Sequence, residues 1–105
     1  MAETATQHIR EFTEAVAPRV FGRGQGYARS RYGILSLEVA WYREDEYTWT
    51  LTLAAEASGD GRVRVQTPED TTFQCHPSFQ REEQLQSLRE QLANTYSEML
   101  HIPLC

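Results

Sequence analysis

The sequence predicts a small α+β domain in which an antiparallel meander of three to four strands is flanked on one face by an N-terminal and a C-terminal helix. Three observations predict this fold class. Apolar residues recur at helical spacing near both ends of the chain, they alternate with polar residues in the middle, and turn-forming residues separate the alternating segments. The 105 residues fit one domain, and we find no linker or internal repeat, so residues 1–105 are expected to fold as a single unit.

The first predicted element is a helix over residues 4–17, in which Ile9, Phe12 and Val16 fall on one side. Thr4 and Gln7 have the spacing of a capping box. We expect Pro18 to end this helix, because proline has no backbone N–H to continue the hydrogen bonding.

Residues 18–33 form an unusual segment with four glycines, four arginines, three aromatic residues and no acidic residue. Glycine weakens helices and strands alike. We therefore expect an ordered loop here, with one short helical turn near residues 27–31, that leads into the sheet.

Two segments with a period of two residues follow, over 34–42 and 47–55, and the acidic residues 44–46 between them predict a hairpin. One side of this pair is predicted to be apolar and to carry Leu35, Leu37, Val39, Trp41, Tyr47, Trp49, Leu51 and Leu53. The other side carries Thr48, Thr50 and Thr52. A sheet with helices on one side only would leave these threonines open or lightly covered.

The strongest turn signal lies at residues 58–61, after which alternation predicts a third strand over 62–67. Residues 68–70 predict another turn, and residues 71–75 a short fourth strand with Phe73 facing inward. The last helix is predicted to begin at an N-cap, Ser78, and to end before Pro103. Its apolar side is predicted to contain Phe79, Leu85, Leu88, Leu92, Tyr96 and Met99 and to pack on Leu37, Val39, Trp49 and Leu51.

Composition narrows the range of functions. The net charge is −5, all ten cations are arginine, and no segment approaches the ~20 consecutive apolar residues of a membrane span. The N-terminus lacks the basic and apolar regions of a secretory leader, so we expect a cytoplasmic protein without a membrane partner. A negative protein is also a poor general binder of nucleic acid.

The potential catalytic and metal-binding residues are few. Cys75 and His76 are adjacent, which turns them to opposite sides of an extended segment, and His8, His101 and Cys105 would all have to converge from the chain ends. Cys75 with a histidine is the only nucleophile–base pair to consider, against the simpler interpretation of Cys75 as a core residue. The glycines at 22, 24 and 26 match neither nucleotide-binding fingerprint. We therefore expect that the protein is not an enzyme and that it binds neither a metal ion nor a cofactor.

One short segment resembles a known family. The pattern Phe21-x-Arg23-Gly24-x-x-Tyr27, followed by residues 33–39, is similar to the segment that lies upstream of the zinc ligands in SWIM-type zinc-finger proteins. The Cys-x-Cys and Cys-x-His ligands that define that family are missing from this sequence. The resemblance therefore implies neither zinc binding nor nucleic-acid binding.

These observations favour a small, acidic, non-enzymatic protein-binding module of the adaptor, assembly chaperone, regulator or inhibitor type. The open side of the sheet is the expected surface for a partner protein or for a homodimer. The alternative is a binder of RNA or of a phosphate-bearing ligand through the segment 18–33, with Arg19, Arg23, Tyr27, Arg29, Arg31 and Tyr32 as the binding residues. For this segment an acidic protein patch is the favoured ligand over nucleic acid, because a long polyanion would also meet Glu44 and Asp45.

Overall fold

A four-stranded antiparallel sheet in the order β1-β2-β3-β4 forms the centre of the molecule. The computed structural model describes residues 2–59, 62–76 and 78–104. The strands are β1 (Gln25–Tyr32), β2 (Leu35–Asp45), β3 (Thr48–Gly59) and β4 (Arg62–Gln74). Helix α1 (Ala2–Gly22) precedes the sheet and helix α2 (Arg81–Leu100) follows it, which confirms the predicted α+β meander.

Both helices pack on the same face of the sheet and on each other. Helix α1 lies over β1 and β2, and helix α2 lies over β3 and β4. The side chains between helices and sheet form one buried cluster, which includes Ile9, Phe12, Val16, Val20, Leu37, Val39, Trp41, Trp49, Leu51, Leu53, Phe73, Leu85, Leu88, Leu92 and Tyr96. Each large apolar side chain that is fully buried contributes about 1.5–3 kcal/mol to folding. The predicted contact side of α2 is therefore confirmed from Leu85 to Tyr96.

The predicted end of α1 at Pro18 is wrong, because the helix continues through Pro18 to Gly22. A proline inside a helix costs about 3 kcal/mol. The last turn offsets that cost by burying Val20 completely and by placing the ring of Phe21 5.1 Å from the ring of Trp49. Tertiary packing therefore decides where this helix ends.

The segment 18–33 is not a loop with a helical turn. Its second half is the edge strand β1, which pairs with β2 from Gln25 opposite Tyr42 to Tyr32 opposite Leu35. The side of β1 that faces the core carries Gly26, Ala28 and Ser30, and an added Cβ at Gly26 would lie 2.7 Å from Trp41 Cε2. Since small residues replace large apolar ones on this side, the sequence lacks the alternation that reveals a strand.

The two predicted strands 62–67 and 71–75 are one strand, β4, and residues 68–70 are not a turn. Leu53 pairs with Glu69 and Ala55 with Gln66, so Thr67 and Pro68 form a bulge opposite a single residue of β3. Proline fits this position because β4 is an edge strand and one side of it needs no N–H donor. The predicted turn at 58–61 falls partly on Asp60 and Gly61, which lie outside the described residues.

Helix α2 begins later than predicted. Gln80 is its N-cap and makes no side-chain capping bond, while the hydroxyl of Ser78 lies 2.6 Å from His76 Nδ1. Phe79 therefore precedes the helix and is exposed, and Tyr47, predicted to face the core, is exposed at the β2–β3 turn. The helix therefore begins at Arg81, one turn before its first buried residue, Leu85.

Leu88→Ala should lower the free energy of unfolding by about 2–5 kcal/mol, because Leu88 is fully buried between α2 and the sheet. Chemical denaturation measures this cost. Asn94→Ala, on the exposed side of the same helix, is the control and should change stability by less than about 0.5 kcal/mol. Equal effects of the two substitutions would contradict the packing of α2.

Gly26→Ala should destabilise the protein by about 1–3 kcal/mol, because the new methyl group would overlap the ring of Trp41. The ring has little freedom to move, since Trp41 is buried and its Nε1 donates to the carbonyl oxygen of Arg23 at 3.3 Å. Gly24→Ala is the matched control, with no atom within 4 Å of the added Cβ. Thermal unfolding followed by tryptophan fluorescence separates the two variants, and similar melting temperatures would contradict this account.

Candidate functional site

The sheet face opposite the helices, which we call the open face, is the largest surface that the two helices leave uncovered. The strand registers assign alternate residues to it. These are Gln25, Tyr27, Arg29 and Arg31 on β1, Ser36, Glu38, Ala40 and Tyr42 on β2, Thr48, Thr50, Thr52, Ala54, Glu56 and Ser58 on β3, and Val63, Val65, Asp70, Thr72 and Gln74 on β4. Thr48, Thr50 and Thr52 therefore lie on the side predicted from the sequence.

Large hydrophobic side chains are concentrated on the open face and at its rim. Seven such side chains are exposed among the described residues. Four of the seven, Tyr27, Tyr42, Val63 and Val65, lie on this face, Ile34 lies in the β1–β2 turn at its end, and all five are more than half exposed. Val63 and Val65 are the extreme cases at 64% exposure each. A surface that met only water would carry polar residues at these positions.

The centre of the open face is flat because its residues are small. Ala40 pairs with Thr52, and Glu38 with Ala54, so no long side chain except Glu38 rises from the middle of the sheet. The threonine hydroxyls point along the surface, since Thr52 Oγ1 donates to Asp70 Oδ1 at 2.8 Å. Thr50 Oγ1 donates in the same way to Glu44 Oε1 at 2.9 Å. A flat, weakly polar centre allows another flat surface to approach closely.

Charge on the open face is divided between its two edges. Strand β1 contributes Arg29 and Arg31, whereas Glu56 lies on β3 and Asp70 on β4. In the central region, Glu38 Oε1 lies 3.4 Å from Arg29 Nε and accepts a hydrogen bond from the hydroxyl of Tyr27 at 3.0 Å. One edge is therefore basic and the opposite half acidic.

Glu38 also affects the ionisation of Tyr27. The pKa of this tyrosine is raised above its ordinary value first by loss of hydration, and then by the hydrogen bond to Glu38 and the negative charge of Glu38. The charge of Arg29 acts in the opposite direction. Tyr27 therefore remains a neutral hydrogen-bond donor on this surface.

The six binding residues predicted from the segment 18–33 do not form one cluster. Tyr27, Arg29 and Arg31 share the open face, and Arg31 Nε donates to the carbonyl oxygen of Gly33 at 3.2 Å. Arg19 lies in the last turn of α1 with its guanidinium 5.7 Å from the centre of the Trp41 ring. Tyr32 faces the helix side and stacks on His8 with the ring centres 4.6 Å apart, and Arg23 is exposed between α1 and β1.

The open face contains residues that the sequence interpretation did not select. Tyr42, Val63 and Val65 belong to strands whose apolar residues are normally assigned to the core, and Ile34, predicted to begin a strand, lies in the β1–β2 turn. The signal available in the sequence was that Ile34 precedes the inward-facing Leu35, and that Tyr42 follows the inward-facing Trp41. The bulge at residues 67–68 shifts the register of β4, so the orientation of Val63 and Val65 depends on pairing with β3.

A concave region, separate from the flat open face, lies at the β2–β3 turn and contains Cys75 and His76. Cys75 is only 5% exposed, and its backbone N–H donates to the carbonyl oxygen of Tyr47 at 2.9 Å. Burial raises the pKa of the Cys75 thiol, and the nearby positive charge of Arg81 offsets part of this shift. Because His76 Nδ1 is bonded to Ser78, the geometry favours the interpretation of Cys75 as a core thiol.

Metal ligands do not gather elsewhere in the part of the chain that the structure describes, where no three His, Cys, Asp or Glu side chains are close enough to hold an ion. Cys105 lies outside the described residues. None of the described helices is long and apolar enough to cross a membrane.

Cys75 should react with iodoacetamide at least about tenfold more slowly in the folded protein than in urea, at pH 7.5 in a Cys105→Ser variant. Burial blocks access, and the raised pKa keeps the group as a thiol, whereas the thiolate is the nucleophile. Mass spectrometry of timed samples measures the rates. A folded-state rate as fast as that in urea would show that Cys75 is an accessible, activated thiol.

No protein-family model, curated protein or solved structure matches this chain. The open face itself offers three features that bear on function, namely its apolar side chains, its flat centre and its divided charge.

Proposed function

We propose that the protein is a non-enzymatic protein-binding module and that the open face is its binding surface. The observation that carries this proposal is the placement of four of the seven exposed large hydrophobic side chains of the described residues on the one sheet face without a helix. Aromatic residues are enriched in protein interfaces, and Tyr27 and Tyr42 are both more than half exposed on this face. A partner would remove these side chains from water.

The dimensions of the open face support a protein as the ligand. Four strands spaced about 4.8 Å apart make a surface about 19 Å wide, and nine residues at about 3.3 Å each make it about 30 Å long. The projected area is then roughly 570 Å², to which side-chain relief adds, against about 800 Å² per partner in a standard interface. A flat area of this size suits a second sheet or a broad protein surface better than a small molecule, which binds in a concave pocket.

The partner would be either a different protein or a second copy of this chain. The protein would act as an adaptor, assembly chaperone, regulator or inhibitor. RNA or a phosphate-bearing ligand is the weaker candidate. The arginines predicted to bind it are divided between two sides of the molecule, and Arg29 is partly neutralised by Glu38. The cytoplasmic location remains a prediction.

Photo-cross-linking in the native cells tests the proposal whatever the identity of the partner. A p-benzoylphenylalanine at Thr52, in the centre of the open face, should give a discrete protein cross-link. The same group at Gln86, on the exposed side of α2, should give none. Adding Ala54→Arg to the Thr52 probe should reduce the cross-link at least about tenfold, because a long cation in the flat centre prevents close approach.

Circular dichroism of the Ala54→Arg variant controls for a loss of folding. Equal cross-linking at Thr52 and Gln86, with no effect of Ala54→Arg, would contradict a binding role for the open face.

A further inference from the structure

We propose that the partner on the open face is a second copy of the chain, packed face to face about a two-fold axis that runs parallel to the strands. This inference rests on the proposed function of the open face and names its occupant. In a two-fold interface the same surface meets itself, so the surface must be complementary to its own rotated image. The distribution of charge and the distribution of apolar residues each satisfy this condition, and both do so for the same axis.

Charge selects the direction of the axis. A rotation about an axis parallel to the strands places β1 of one copy over β4 of the other, and β2 over β3. The basic edge with Arg29 and Arg31 then meets the acidic half with Glu56 and Asp70. A rotation about an axis across the strands would instead place β1 over β1 with its ends exchanged, so that Arg29 and Arg31 would face the end with Gln25 and Tyr27 and no acidic residue. Only the axis parallel to the strands therefore brings opposite charges together, and such complementarity favours one orientation of the two copies.

The strand registers bring particular residues to the same level. Arg31 lies in the same cross-strand row as Ser36, Glu56 and Val65. After the rotation, Arg31 of one copy therefore lies over Val65 and beside Glu56 of the other copy. Asp70 lies in the same cross-strand row as Tyr27, and Arg29 is the next residue of β1 on the open face. After the rotation, Asp70 of one copy therefore lies over Tyr27 and near Arg29 of the other copy. Arg31, Glu56 and Asp70 have no ion-pair partner among the described residues of their own chain. The second copy supplies oppositely charged groups to all three.

The apolar residues select the same axis independently. Ile34, Val63 and Val65 lie at the end of the open face near the β1–β2 turn, where the Ile34 carbonyl oxygen accepts a hydrogen bond from the Ser58 N–H at 3.1 Å and Ser58 pairs with Val63. An axis parallel to the strands keeps like ends together and places β4 over β1, so Val63 and Val65 of one copy lie over the end of β1 and the β1–β2 turn, with Ile34, of the other. An axis across the strands would instead place Val63 and Val65 over the opposite end of β4, which carries the polar residues Thr72 and Gln74.

The centre of the face allows the contact. Under the proposed rotation Ala40 of one copy lies over Thr52 of the other, so small residues face small residues. Packed sheets lie about 10 Å apart, and two such faces would bury roughly 1,200–1,600 Å² in total, within the range of stable interfaces.

Charge-reversal variants of the full chain test the proposed contacts. The native protein should have a mass of twice 12.1 kDa by multi-angle light scattering. Arg29→Glu/Arg31→Glu should raise the dimer dissociation constant at least about tenfold, and so should Glu56→Arg/Asp70→Arg, since each brings like charges together. An equimolar mixture of the two variants should form heterodimers, because both edges become complementary again. Glu11→Arg/Glu98→Arg, on the exposed helix surfaces, is the control with reversed charge and should dimerise as the native protein does.

The direction of the axis is measured with one spin label. Glu46→Cys, with the native cysteines replaced by alanine, places a nitroxide at the β2–β3 turn. Double electron–electron resonance should give a separation below about 20 Å for the axis parallel to the strands, which brings the two turns to the same end. An axis across the strands would separate the labels by about 30 Å or more, the length of the sheet, and that distance would overturn the proposed packing.

Three other outcomes are distinguishable. A native monomer that still gives a cross-link from Thr52 to a different protein would overturn the second-copy inference and leave the binding function in place. A monomer without any such cross-link would overturn both. A dimer that the face variants do not weaken would place the interface elsewhere and overturn the inference.

Discussion

The packing of α1 and α2 against a single face of the sheet is the contact from which the other features follow. Helix α1 covers β1 and β2, helix α2 covers β3 and β4, and the two helices meet in the middle, so no strand remains uncovered on that side. Tyr96 strengthens this arrangement, because its hydroxyl donates to the backbone carbonyl of Glu38 from within the core. Burial raises the pKa of Tyr96 far above its ordinary value, so this phenol remains a donor. The opposite face has no helix to cover it, and its chemistry must be explained by water or by a partner.

The parts of the fold that the sequence predicted are those in which large apolar residues mark the buried side. Strands β2 and β3 carry leucine, valine and tryptophan at every second position, and α2 repeats leucine at helical spacing. Strand β1 was missed because its buried side carries Gly26, Ala28 and Ser30, which leave room for the ring of Trp41. Strand β4 was divided in two because Pro68 has the appearance of a turn residue, whereas pairing with β3 converts it into a bulge. Both errors concern the way in which one strand packs and pairs with its neighbour, which the pattern within a single strand does not encode.

The candidate site was predicted in part, for a related reason. The sequence identified an arginine-rich segment of opposite charge to the rest of the chain, and the strand register divided that segment between two faces. Alternation along β1 is what places Tyr27, Arg29 and Arg31 on the open face, while Arg19 and Tyr32 remain with the helices. The exposure of Val63 and Val65 depends on the bulge in β4, and no local signal in the sequence reveals it.

The same small residues that concealed β1 also explain how the open face acquires a basic edge. Because the core side of β1 carries the small residues Gly26, Ala28 and Ser30 before it reaches Tyr32, most of the strand contributes little to the core, and its other side carries long, charged residues. The edge strand β4 is different, since the bulge at Pro68 blunts it against pairing with another strand. An added strand would therefore have only the free edge of β1, where two copies would bring Arg29 and Arg31 together. Edge-to-edge pairing of identical sheets is disfavoured at both edges, which leaves the flat face as the surface on which two copies are complementary.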